Sequence, residues 1–238
     1  MGRAFEFRKE RKMKRWGKMA VTFTRIGKEI AMAVKDGGPD PEHNSRLRVA
    51  IQNAKSENMP KDRVEAAIKR ASEKDSSNYE EVVYEAVGPS GVGVVIETAT
   101  DNTNRTVANI RAILNRNQAE LGKSGSLDYL FERKCIFRID PADHDLEELE
   151  LELIEGGLEE IEQQEDETLV YTSFSDFGNM QKMLETMGVT IISVDKERIP
   201  HNFVELSGES AETVNKLIEK LEEDEDVQNV FHNATLNL

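Results

Sequence analysis

The sequence has little of what covalent stapling, membrane insertion or metal chemistry requires. Cys135 is the only cysteine in 238 residues, which excludes an intramolecular disulfide and the secreted scaffolds built on such bridges. It lies in the apolar run Cys135-Ile136-Phe137-Arg138-Ile139 with no activating electropositive neighbourhood, so it reads as a buried structural thiol. No stretch approaches the roughly 18 consecutive apolar residues of a membrane span. The basic N-terminus is followed by no apolar h-region, so the expectation is a soluble, cytoplasmic protein without a secretory signal. His43, His144, His201 and His232 are the only histidines, and none has a partner at ligand spacing. Nucleophile elbow, zincin motif and dinucleotide fingerprint are all absent. Gly122-Lys123-Ser124 has the end of a phosphate loop but Asn117 where that pattern needs its first glycine, and it runs toward a strand, so it reads as a turn. Neither an enzyme, a metal nor a cofactor is expected.

Charge is what the sequence has in abundance, and it is unevenly placed. The formal net charge is −15, a total that argues against a polyanionic partner. Residues 1–78, however, hold 19 Lys+Arg against 11 Asp+Glu, whereas residues 79–238 hold 12 against 35. Such a chain behaves as two electrostatic objects. Residues 3–18 alone carry eight Lys+Arg and two acidic residues, with Phe5, Phe7 and Trp16 among them. Residues 134–199 carry 18 acidic against 5 basic residues, and Glu147, Glu148, Glu150, Glu152, Glu155, Glu159 and Glu160 are too uniform to mark a catalytic pair, so they read as a solvated face. The run Glu222-Glu223-Asp224-Glu225-Asp226 reads the same way.

Hydrophobic spacing divides the chain into segments. Met19, Phe23, Ile26, Ile30 and Val34 form one helical face, stopped by Gly37-Gly38-Pro39. Asp40-Pro41 offers the cap of a second helix, on which Leu47, Ala50, Ile51 and Ala54 face inward, and Pro60 opens a third with Val64, Ala67, Ile68 and Ala71. Residues 73–78 read as a linker. Residues 82–87 and 92–98 flank Gly88-Pro89-Ser90-Gly91 as a β-hairpin. A helix follows around Val107–Leu114, then a strand at Leu127–Phe131. Residues 135–194 then alternate as strand, helix, strand, strand, helix, strand, the split βαβ order of ferredoxin-like units. The tail gives strand 202–206, helix 211–222 and strand 227–232, half of a second such unit whose other half is residues 82–131. The expected fold is α+β, with a basic helical domain at 1–78 and a split α/β domain formed by 79–133 and 200–238. Residues 134–199 form an acidic ferredoxin-like domain inserted into it.

Several irregular stretches carry a family resemblance. These are Asn44-Ser45-Arg46-Leu47-Arg48, Asn58-Met59-Pro60-Lys61-Asp62, Tyr84-Glu85 with Gly88-Pro89 and Gly91, Thr100-Asp101-Asn102-Thr103-Asn104-Arg105-Thr106, and Leu121-Gly122 with Gly125-Ser126. In this order and spacing the chain resembles the YebC/PmpR family, whose mitochondrial members act as translational activators. The resemblance implies the same three-part architecture. Where the family has a Gly-His-Ser-Lys-Trp start, this chain has Gly2-Arg3-Ala4-Phe5-Glu6; where it has Trp-Met-Phe and Gly-Gly, this chain has Tyr129-Leu130-Phe131 and Gln118-Ala119. The last two read as core substitutions.

The leading functional signal is the basic arm. Arg8, Lys9, Arg11, Lys12, Lys14, Arg15 and Lys18 have the density that neutralises phosphates and releases their counterions, and Trp16 suits base stacking. Arg46, Arg48, Lys55 and Lys61 extend the charge across the second and third helices, with Lys69 and Arg70 beyond them. Arg105, at a helix N-terminus, is a secondary contact, while Asp101, Asn102 and Asn104 read first as capping residues. No base-reading motif is visible, so phosphate or RNA-shape contact fits these residues better than sequence-specific readout. The expectation is a non-enzymatic, nucleic-acid-binding regulator of gene expression. The resemblance points to a DNA-binding transcriptional regulator or to a ribosome-associated translation factor contacting rRNA. A different class, a small-ligand protein or enzyme using the interdomain cleft, requires a polar pocket with converging titratable groups.

Overall fold

A computed structural model describes residues 19–73, 78–140, 144–164 and 167–237, and the fold is α+β. Three helices come first, α1 (Met19–Gly37), α2 (Ser45–Ser56) and α3 (Lys61–Ala71). They bury Ile26, Ile30, Val34, Leu47, Ala50, Ala54, Val64 and Ala67 against one another, as the helical spacing requires. The cap of α2 is not Asp40 but Asn44, whose side chain accepts from the Leu47 amide at 3.0 Å. Its amide group also donates to the Ala33 and Gly38 carbonyls at 2.7 and 2.8 Å, so one buried residue closes α1 and opens α2 together. Asp40 instead caps a turn, accepting from the Glu42 amide at 3.0 Å. The Asn58-Met59-Pro60 motif is equally structural. Asn58 adopts φ +57°, and the Asn58 and Met59 amides donate back to Lys55 and Ala54 at 3.0 and 2.9 Å, a left-handed cap that ends α2 just before Pro60 starts α3.

The hairpin joins β1 (Glu80–Val87) to β2 (Gly93–Thr100) in register Glu80↔Thr100 through Val87↔Gly93. α4 (Thr103–Arg116) and the two-residue β3 (Glu120–Leu121) follow. Gln118, expected in the core, is exposed at φ +57° and ends α4; only Ala119 of that pair is buried. The strand expected at Leu127–Phe131 is a single 3-10 turn, Asp128–Leu130, and the following strand starts at Phe131. The Leu127 amide is drawn off any ladder by the Glu85 carboxylate, to which it donates at 2.7 Å.

From there the chain builds β4 (Phe131–Asp140), α5 (Leu146–Leu153), β5 (Leu158–Gln163), β6 (Thr168–Ser173), α6 (Phe177–Thr186) and β7 (Thr190–Pro200). The sheet order β5-β6-β4-β7 is antiparallel throughout, the split βαβ arrangement. α5 and α6 cover it with Leu149, Leu153, Met180 and Leu184 over Phe137 and Cys135. β7 continues beyond the expected Val194 because β4 pairs with it as far as Phe131↔Pro200.

β8 (Val204–Ser207), α7 (Gly208–Glu222), β9 (Val227–His232) and β10 (Ala234–Asn237) complete the chain. β9 joins the first sheet in the order β3-β1-β2-β9, and α4 and α7 pack on that sheet through Ile110, Leu114, Val214 and Leu217. β8 does not enter this sheet. Both edges of the β1–β2 hairpin are taken by β3 and β9, and β8 pairs in parallel with β10 instead.

Candidate nucleic-acid interface and the junctions behind it

The arm residues Arg8, Lys9, Arg11, Lys12, Lys14, Arg15, Trp16 and Lys18 lie outside the described residues. The other expected contacts divide sharply. Lys55 and Lys61 are exposed, and Lys61 makes a solvent-facing contact to Glu65 at 3.7 Å, which contributes little. Arg46 and Arg48, expected to meet phosphate, are engaged by carboxylates of the same chain. Arg46 pairs with Asp36 and Glu81. Burial alone would lower its pKa, but the Glu81, Glu29 and Asp36 charges outweigh that and raise it. Arg48 grips Glu185 of α6 with both arms of its guanidinium, at 2.9 and 2.8 Å, and burial of Glu185 is overcome so that its pKa falls. Sequence reasoning had no means of seeing this, since Glu185 is 137 residues away.

α2 is held down further along its length. The Asn53 side chain accepts from the Val194 amide and donates to the Val194 carbonyl, both at 2.8 Å. It thereby imitates a neighbouring strand on the otherwise open edge of β7. α2 is thus a packed element. The exposed cations of α1–α3 are Lys35, Lys55, Lys61, Arg63, Lys69 and Arg70, most of them on α3. Arg63, which sequence reasoning passed over, lies 5.7 Å from the Phe23 ring centre, a cation–π distance.

The Thr100–Thr106 motif closes over a buried carboxylate, Asp226. Asn102 caps α4 by accepting from the Arg105 amide at 3.1 Å, as expected of a turn. The Arg105 guanidinium reaches Asp226 at 2.8 Å and Asp101 at 2.9 Å. Asp226, expected in a solvated run, is 4% exposed. It also accepts from Lys28 Nζ at 2.9 Å and Thr106 Oγ1 at 2.7 Å. Lys28 is buried and donates in addition to the Ala99 and Glu225 carbonyls at 2.9 and 2.7 Å. Burial would raise the Asp226 pKa, but Arg105, Lys28 and Thr106 together bring it down to about 2. One carboxylate therefore ties α1, α4 and the turn before β9 into a single joint, and Arg105 is committed there.

Glu85 builds a second joint. It is 5% exposed and accepts from the Gly125 and Leu127 amides and the Ser126 hydroxyl at 2.8, 2.7 and 2.9 Å. The Gly122–Ser126 segment is a loop pinned to β1, with the Gly122 amide donating to the Glu85 carbonyl at 2.7 Å, which accords with its reading as a turn. Tyr129, expected as a core substitution, is 78% exposed at the end of this loop, while Leu130 and Phe131 are buried.

A cavity of about 390 Å³, lined by apolar side chains such as Phe174 and Phe177 as well as by polar ones, lies where the helices meet both sheets, so a cleft is present where the small-ligand reading places one. Three of its cations already serve as links. Arg25 donates to the Val227 and Glu222 carbonyls at 2.9 and 2.8 Å, Arg46 is paired as above, and Arg138 meets Glu167 at 2.6 Å. Beside this cavity Arg198 of β7 joins Glu97 of β2 at 2.9 Å. Cys135 is fully buried, and burial pushes its thiol up to about 11, an inert state. Among the described residues no group of three His, Cys, Asp or Glu side chains converges to hold a metal, and no helix is long and apolar enough to cross a membrane.

Comparison with known proteins covers almost the whole chain. Residues 3–74 match the TACO1/YebC protein N-terminal domain and residues 79–234 the TACO1/YebC second and third domain. A protein of Parabacteroides distasonis is 57% identical over 98% of this chain and 96% of its own length. One of Porphyromonas gingivalis is 56% identical over 98% and 97%, and one of Myxococcus xanthus 48% identical over 98% and 99%. All three are named probable transcriptional regulatory protein. The crystal structure of a conserved hypothetical protein of Aquifex aeolicus superposes with a TM-score of 0.73 at 37% identity, covering 92% of this chain and 90% of that one.

Proposed function

The chain belongs to the TACO1/YebC family, and from that membership we propose that it is a non-enzymatic regulator of gene expression that binds nucleic acid through its basic N-terminal end. The observation that carries the reading is the charge division, 19 Lys+Arg against 11 Asp+Glu in residues 1–78 and 12 against 35 beyond them. A polyanion is attracted to the first part and repelled by the second, so the body orients the complex as the arm binds it. Lys9, Arg11, Lys12, Lys14, Arg15 and Lys18 grip phosphates, Trp16 stacks on a base, and Lys55, Lys61, Arg63, Lys69 and Arg70 continue the basic surface. The relatives are named probable transcriptional regulatory proteins, and on that ground we take duplex DNA as the first target to test. Ribosomal RNA is the second, favoured by one observation. α2 is clamped to β7 and α6 through Asn53 and Arg48 and exposes only Ser45 and Lys55, which leaves it little with which to read a major groove, so backbone and shape contacts suit this end better than base readout.

The test titrates one preparation against promoter-length duplex DNA and against ribosomes over a range of salt. Reversing charge at Lys9, Arg11 and Lys12 is expected to weaken binding about tenfold or more and to reduce the magnitude of the log–log salt slope by about 2–3. Equal binding of parent and triple variant to both targets would sink the reading. Sequence-selective duplex binding at physiological salt decides for transcription, and stoichiometric ribosome binding with only indiscriminate DNA affinity decides for translation.

A further inference from the structure

α5 has two faces. Leu149 and Leu153 are 1% and 0% exposed in the core of the second sheet. On the outside Leu151 is 69% exposed, and Ile154, three positions on in the turn that ends the helix, is 58% exposed. Residues three apart on a helix lie one above the other, so these two side chains form a continuous apolar strip. Single exposed hydrophobics are ordinary: Met19, Tyr129 and Ile192 lie on separate elements, and Val83 and Val87 stand four positions apart on β1. Leu151 and Ile154 share one turn and one rim.

The rim is anionic and has no local counter-charge. Glu147, Glu148, Glu150, Glu152 and Glu155 are all exposed, and none of these five carboxylates makes an ion pair among the described residues. The sequence has no lysine or arginine between Arg138 and Lys182. The helix needs none of this surface for its own stability, since Asp145 caps it by accepting from the Glu147 and Glu148 amides at 2.9 and 3.2 Å and its inner leucines anchor it.

We propose that the outer face of α5 docks a short basic amphipathic segment of another protein. Two or three apolar side chains of that segment would cover Leu151 and Ile154, and its flanking lysines or arginines would meet the glutamates. The charge selects this occupant. Nucleic acid and anionic lipid surfaces are repelled by the same carboxylates, and the acidic face of a second copy repels its own image across a two-fold axis. Apolar contact at the centre with charge at the rim is the usual division of labour at an interface, the first setting affinity and the second setting approach and partner choice. Docking at α5 does not depend on what the N-terminal end binds. If both hold, the protein is an adaptor between a polyanion at one end and a basic protein at the other.

The test uses the full-length protein and a fluorescent amphipathic peptide of about 14 residues made of leucine and lysine, followed by anisotropy near physiological salt. The double variant Leu151→Ser/Ile154→Ser is expected to lose affinity about tenfold with an unchanged thermal midpoint, because both residues are already in water. Glu147→Gln/Glu150→Gln/Glu155→Gln is expected to lose a similar factor with a flatter salt dependence. Val87→Ser, an exposed apolar position on β1, is expected to leave the affinity unchanged. Three results each overturn the proposal. One is equal peptide affinity of the Leu151/Ile154 variant and the parent, which leaves charge alone. Another is an equal loss in the Val87 variant. The third is a dimer of the parent, seen in sedimentation, that the Leu151/Ile154 variant abolishes, which makes a second copy the occupant.

Discussion

Asp226 and the glutamates of α5 come from stretches of equally acidic sequence, yet one carboxylate is 4% exposed and the others face solvent. Around Asp226 the fold assembles Lys28, Arg105 and Thr106 from positions 198, 121 and 120 residues away. The glutamates of α5 make no ion pair among the described residues. The difference lies in which donors the folded chain brings to an acid, not in the acids themselves. It separates an element that holds the molecule together from one that is free to meet something else.

The strongest way to break the contrast is Asp226→Ala. Removing Asp226 leaves the buried Lys28 without its carboxylate, while Arg105 keeps only Asp101, and a loss of about 3 kcal/mol is expected in denaturant unfolding. A loss below about 1 kcal/mol would remove the joint as a structural element. Acid titration is a gentler cut. Asp226 titrates at about 2 in the folded protein, below the ordinary aspartate value, so its contribution is fully present above about pH 4 and disappears as pH falls through 2. About 2 kcal/mol of the parent's stability is expected to vanish across that window. Asp226→Asn, already lacking the charge, is expected to show a correspondingly shallower loss in the same interval. The smallest effect belongs to the other acidic segment. Glu147→Gln/Glu150→Gln/Glu152→Gln is expected to change stability by no more than about 0.5 kcal/mol, toward stabilisation at low salt and toward zero at high salt. A large destabilisation there would mean these carboxylates have structural partners after all.

Periodicity and turn chemistry made most of the architecture legible. Stripes such as Ile26-Ile30-Val34 and Leu47-Ala50-Ala54, the glycine turn between the hairpin strands, and the split βαβ pattern depend on neighbours within one or two turns of chain, and all are present. What escaped depends on distant partners. Arg46 and Arg48 look like phosphate ligands until Glu81 and Glu185 stand beside them. Leu127–Phe131 looks like a strand until Glu85, some 40 residues earlier, claims the Gly125 and Leu127 amides. Tyr129 has the hydrophobicity of a core residue, but the turn that buries Leu130 and Phe131 points it outward. At Gln118 the legible signal was backbone shape, since a left-handed residue ending a helix is a natural place for glycine. Of the candidate interface, α3 was legible as charge, and the packing of α2 was not.

The first sheet is finished by the last part of the chain, with Val94 of β2 opposite His232 of β9. During synthesis β2 therefore keeps an open edge while the whole second sheet, contained in residues 131–200, is made and can close on itself. The arrival of residues 226–232 then does two things at once. It fills that edge, and it delivers Asp226 to the waiting Lys28 and Arg105. Contacts of such long sequence separation form late and slowly, so the synthesis of residues 226–232 is also the step that ties α1 and α4 to the first sheet, and a chain that stops short of Asp226 has its pieces but not its joint.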